Sequence, residues 1–89
     1  FNGDQPTAGD KALVEKNPEK AMEMFTKAAD KGNAAANRLL GQIFEEGLGS
    51  QKKDLKKALE FYTKGANGRD AEALFRMGVA SELGWMDAD

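Results

Sequence analysis

Cysteine and histidine are both absent from the 89 residues. The first absence excludes disulfides and zinc–thiolate sites. The second removes the commonest general base and the commonest metal ligand. Neither fixes a compartment. Large apolar residues are scarce: one Trp, one Tyr and five Phe. The hydrophobic fraction still reaches 40%, because alanine inflates it. The expected core is therefore thin, with its elements packed close. No charge sign dominates; 13 basic and 15 acidic residues are interspersed and give a net charge of -2. Without a basic stripe, nucleic acid is not an expected partner. No run approaches the roughly 20 apolar residues of a membrane span, so membrane insertion is not expected. No signal-peptide pattern is visible either. With 31% charged residues beside its apolar ones, the chain is neither disordered-like nor fibrous and suits one small domain.

Catalytic groupings are missing as well. Tyr62 falls at a core position, and no nucleophile–base pair can be assembled. Glu45 and Glu46 are adjacent, and adjacent residues on a helix do not face each other. Asp87 and Asp89 lack the spacing of a calcium loop. The Gly47-Leu48-Gly49 run lacks the Lys-Ser/Thr context of a phosphate loop. Neither an enzyme nor a cofactor or metal site is expected.

What is present is a repeat. A shift of 37 residues places Ala21 on Ala58, Ala29 on Ala66, Ala36 on Ala73, Gly41 on Gly78 and Gly47 on Gly84. Lys20/Lys57, Glu23/Glu60, Thr26/Thr63 and Lys27/Lys64 are also identical. Met22/Leu59, Phe25/Tyr62 and Leu40/Met77 are conservative pairs. Of the 37 pairs from Lys16/Lys53 to Lys52/Asp89, 12 are identical, several times what chance gives. Self-similarity at this period marks a stacked repeat architecture.

Each unit reads as two helices. Asn17-Pro18-Glu19 is a start signal: an N-cap, proline at the first helical position, then an acid in the first turn. Ala21, Phe25, Ala28 and Ala29 share a face, and Lys31-Gly32 is the expected stop. Asn33 caps the second helix, whose stripe is Ala36, Leu40, Ile43, Phe44 and Gly47. In the second unit Asp54 is the N-cap, with Ala58, Tyr62, Gly65 and Ala66 facing inward. Asn67-Gly68 turns the chain, and Asp70 caps a helix carrying Ala73, Met77 and Ala80. Alanine and glycine at the contacts let antiparallel helices approach near the low end of the usual 8–10 Å interaxial range. Gly41 and Gly78 lie inside predicted helices, where glycine costs roughly 1 kcal/mol against alanine. A recurring cost at one repeat position predicts a steric need at both glycines, with Gly41→Leu unfolding the domain.

Ala21, Met24, Phe25, Ala28, Ala29, Gly32, Asn33, Ala36, Leu40, Gly41, Phe44, Gly47 and Gly49 together resemble the Sel1-like repeat, a relative of the tetratricopeptide repeat. The second copy offers Ala58, Phe61, Tyr62, Gly65, Ala66, Asp70, Ala73, Met77, Gly78 and Gly84. The resemblance spans residues 13–86. The junction Gly47–Asp54 is one residue longer than usual, with Ser50 where valine is typical. Gly65 replaces the first alanine of the pair, Arg69 takes the turn-glycine position, and Ser81 stands where Tyr or Phe is expected. The resemblance implies an all-α superhelix, a solenoid of two helix-turn-helix repeats at about 17–49 and 54–86. Residues 1–12 are expected to be a loop or connector, and 87–89 a C-terminal end. It also implies an adaptor or scaffold that binds a protein or peptide, as part of a longer solenoid or a complex.

Two surfaces are candidates. The first helix of each pair lines the concave face of such solenoids, which here places Lys20, Glu23, Lys27, Lys57, Glu60 and Lys64 in a mixed-charge groove. The plainer reading is an i,i+4 Glu→Lys pair on each helix, worth about 0.2–0.5 kcal/mol. The last helix carries Leu74, Phe75 and Val79 in place of Asn37, Arg38 and Gln42, and Trp85 follows. A terminal repeat normally has a polar outer face. This apolar one reads as an assembly surface for a further repeat, a second copy or a partner, unless Phe75 packs within its own repeat. That leaves a structural or self-associating subunit as the alternative function.

Overall fold

The structure, a computed structural model, describes residues 15–87. The connector expected at 1–12 lies outside them, as do Asp89 and most of the tail at 87–89. Among the described residues, Glu15 and Lys16 are helical and four helices follow: α1 (Pro18–Asp30), α2 (Ala34–Glu46), α3 (Leu55–Asn67) and α4 (Ala71–Glu82), then a 3-10 turn at Trp85–Asp87. No strand occurs among the described residues.

All four helices begin in the same way. A side-chain oxygen accepts from the backbone N–H three residues on: Asn17 from Lys20, Asn33 from Ala36, Asp54 from Lys57, Asp70 from Ala73. Each cap satisfies a donor that the helix itself leaves orphaned and contributes about 1 kcal/mol. The turns between paired helices are also equivalent. Gly32 has φ +89°, and Arg69, at the same repeat position, has φ +71°. An arginine therefore occupies the left-handed conformation that glycine adopts freely. Gly68 is needed for another reason, since a Cβ there would lie 2.6 Å from the Ala34 Cβ.

The core has two parts that share α2. On one side Ala36, Leu39, Leu40 and Ile43 close with Ala21 and Phe25 of α1. On the other, Phe44 joins Ala58 and Tyr62 of α3. Pressed between two helices, α2 is buried nearly all round, including Ala35, Asn37 and Gly41. This is wider than the single stripe read from the sequence. Gly47 is not on that stripe; it is the C-cap of α2, at φ +67°, with its N–H donating to the Ile43 carbonyl. The long junction folds back instead of looping out: Asp54 N–H donates to the Phe44 carbonyl, and Gly49 lies against Pro18 and Glu19.

The two helical glycines divide. A Cβ on Gly41 would lie 2.6 Å from the Tyr62 ring, so the predicted close approach is real there. A Cβ on Gly78 meets nothing within 4 Å. The steric need expected at Gly78 is absent, because the helix that would cross it has no counterpart among the described residues.

Candidate protein-interaction surfaces

The first surface is built by α1 and α3. Both helices bury alanine and an aromatic (Ala21 and Phe25; Ala58 and Tyr62). A 3.6-residue period then sends Lys20, Glu23, Lys27, Lys57, Glu60 and Lys64 to the opposite face, where all six are exposed. Neither Glu→Lys pair closes into an ion pair; the ion pairs among the described residues join other side chains. Two of the lysines are held differently. The Lys57 ammonium lies 5.0 Å from the Phe44 ring centroid and Lys64 5.2 Å from that of Phe61. Those two rings stack on each other with centroids 5.6 Å apart. Cation–π attraction anchors the two charges without neutralising them.

The second surface lies on α4. Leu74 is 57% exposed and Phe75 71% exposed, so Phe75 does not pack within its own repeat. Val79 and Leu83 are also exposed. Trp85 differs from the other residues read as an assembly surface. It is half-buried, with its ring 6.4 Å from that of Tyr62. Its repeat equivalent, Leu48, packs against the α1–α2 core in the same way. Phe75, Val79, Leu83 and Trp85 wall a cavity of about 140 Å³ whose polar side is Glu45, Tyr62 and Arg76.

Between the surfaces runs a polar network that sequence reasoning missed. The fully buried Tyr62 ring sends its hydroxyl out to donate to Glu45 at 2.5 Å. Burial, reinforced by that carboxylate, pushes the Tyr62 phenol well above its ordinary range. Arg76 pairs with Glu72 at 3.0 Å and reaches Glu45 at 3.7 Å. Arg38 pairs with Asp70 at 3.0 Å and with Glu72 at 3.7 Å. The chain thus ties α2 to α3 and α4 by charge-assisted hydrogen bonds. Only the Glu72/Arg76 i,i+4 spacing signalled any of it in sequence. The remaining partners stand 17 (Tyr62 and Glu45) to 34 (Arg38 and Glu72) positions apart, and only the fold brings them together.

Helix pairs repeating at a fixed period around a shared core define a helical repeat protein of the solenoid class. The particular family is shown by sequence: the chain belongs to the Sel1 repeat family, whose repeat matches residues 8–33, 34–70 and 71–89. The central match contains α2 and α3 and spans one full 37-residue period, so the family's unit joins the second helix of one pair to the first of the next. Sel1 repeats are protein-interaction modules. No curated protein and no solved structure matches the chain. No helix among the described residues is long and apolar enough to cross a membrane.

Proposed function

We propose that this chain acts as an adaptor or scaffold module that binds an extended or helical peptide across the charged face of α1 and α3. The observation that carries this reading is the pair of identical Lys/Glu/Lys triplets, all six exposed and none in an ion pair among the described residues. Four lysines against two glutamates favour a peptide with acidic residues. The ring-anchored Lys57 and Lys64 lose less side-chain entropy on binding than free lysines would. No catalytic role is proposed, since the groups at hand offer only charge and hydrogen bonding.

Fluorescence anisotropy with a panel of acidic peptides tests the reading. Lys20→Glu, Lys27→Glu, Lys57→Glu and Lys64→Glu combined should abolish binding without loss of far-UV circular dichroism. Binding to the native chain should also weaken as salt rises. Affinity unchanged by the four reversals would eliminate the charged face. The exposure of Leu74 and Phe75 favours a second reading, in which the α4 end of the stack mediates assembly into a larger complex.

A further inference from the structure

The 37-residue shift maps one face of α2 onto one face of α4. Ala34, Asn37, Arg38, Gly41, Phe44 and Glu45 become Ala71, Leu74, Phe75, Gly78, Ser81 and Glu82. On α2 that face is covered by α3. The Tyr62 ring crosses Gly41, its hydroxyl donates to Glu45, Gly65 lies against the Ala34 carbonyl, and Gly68 fits over the Ala34 methyl. On α4 all six equivalents are exposed. Gly78 faces open space, and the Glu82 carboxylate has no hydrogen-bond or ion-pair partner among the described residues.

The geometry points to this face as the seat of a partner polypeptide's amphipathic helix that repeats the α3 pattern, small-x-x-x-Tyr-x-x-small. Its tyrosine ring crosses Gly78 and its hydroxyl donates to Glu82. This names the occupant for the reading of the α4 end as an assembly surface and rests on that reading. The docking geometry continues the α2–α3 interface already present in the molecule. Glu82 supplies the hydrogen-bond complementarity, an acceptor at the repeat position where Glu45 receives its phenol. Two substitutions refine the occupant. Leu74 and Phe75 stand where Asn37 and Arg38 do, and Arg38 pairs with the Asp70 that caps the next helix. Past its last turn the partner therefore carries an apolar residue in place of that acid. Ser81 replaces Phe44, so the partner needs no aromatic matching Phe61. A second folded copy of this chain does not meet the requirement. The sequence has one tyrosine, and it is fully buried and committed to Glu45.

The test titrates the ¹⁵N-labelled 89-residue chain with a synthetic peptide of its residues 54–68. Saturable amide shifts at Leu74, Gly78, Ser81 and Glu82 are expected. Replacing the peptide's tyrosine by phenylalanine, or Glu82→Gln in the protein, should weaken binding about tenfold, the effect of losing a hydrogen bond to a charged group. Gly78→Leu should abolish binding, and because that position faces open space the variant should fold normally. The inference is overturned if α4 shows no saturable shifts, or if Gly78→Leu binds as well as the native chain. It is overturned differently if sedimentation shows self-association that Phe75→Glu and Val79→Lys remove. A second copy would then occupy the face, so α4 would stand as an assembly surface while the tyrosine helix would not.

Discussion

Gly41 and Gly78 are the same residue at the same repeat position, with opposite physical roles. At Gly41 a methyl group collides with Tyr62, which cannot retreat because it is fully buried, tied to Glu45 and backed by Trp85. Overpacking of this kind costs about 1–3 kcal/mol, more than the roughly 1 kcal/mol that alanine gains in helix propensity. Gly41→Ala should therefore lower the melting temperature, and Gly41→Leu should unfold the chain. Gly78→Ala meets open space and should raise stability by about 1 kcal/mol. Thermal denaturation of the variants decides the matter, and a stabilised Gly41→Ala would refute the account. Tyr62 carries a second expectation. Its phenol is raised above the unfolded value, so its contribution is complete below about pH 10 and is lost as pH climbs past it. Tyr62→Phe should cost about 1.5 kcal/mol at neutral pH and should flatten the decline in melting temperature above about pH 10 relative to the native chain.

At the scale of the element, Asp70 serves two structures at once. Its carboxylate caps α4 by accepting from Ala73 N–H at 2.8 Å and also receives Arg38 of α2 at 3.0 Å. The two functions separate by substitution. Asparagine keeps the cap acceptor and discards the charge, whereas alanine discards both. Asp70→Ala should cost about 1 kcal/mol for the cap plus the contribution of the half-buried pair; Asp70→Asn should cost only the latter. Urea midpoints of the two variants measure the difference, and equal midpoints would show that the cap contributes nothing. Elements were legible in the sequence to this depth. All four caps fall on the residues expected, because capping is decided within four residues of chain. The left-handed turn at Arg69 was legible only by alignment with Gly32, since no local preference places arginine there.

At the scale of the molecule, α2 belongs to both halves of the core, so the two helix pairs have no clean division between them. Its contacts with α3 are more extensive than those with its own pair partner α1. Unfolding α3 would expose Gly41 and Phe44, and unfolding α1 would expose Leu40 and Ile43. Urea unfolding should accordingly be a single transition, with the circular dichroism of all four helices and the fluorescence of Trp85 giving one midpoint. Separate midpoints would show pairs that fold independently, as nearest-neighbour coupling in repeat arrays permits when interfaces are weak.

The sequence by itself determined the period, the helix starts, the inward alanines and aromatics, and the exposed lysine and glutamate triplets. These follow from local hydrogen bonding and from 3.6-residue periodicity, which act over a few neighbours. It could also exclude thiolate and imidazole chemistry, because composition needs no fold. Only the tertiary structure decided which of two identical glycines is packed against a ring. It also decided that Lys57 and Lys64 lie over aromatics instead of pairing with Glu60, and that Tyr62, Glu45, Arg76, Glu72, Arg38 and Asp70 form one network. Those outcomes depend on groups far apart in the chain meeting at a few ångströms, and the stacking of α3 on α2 sets those distances.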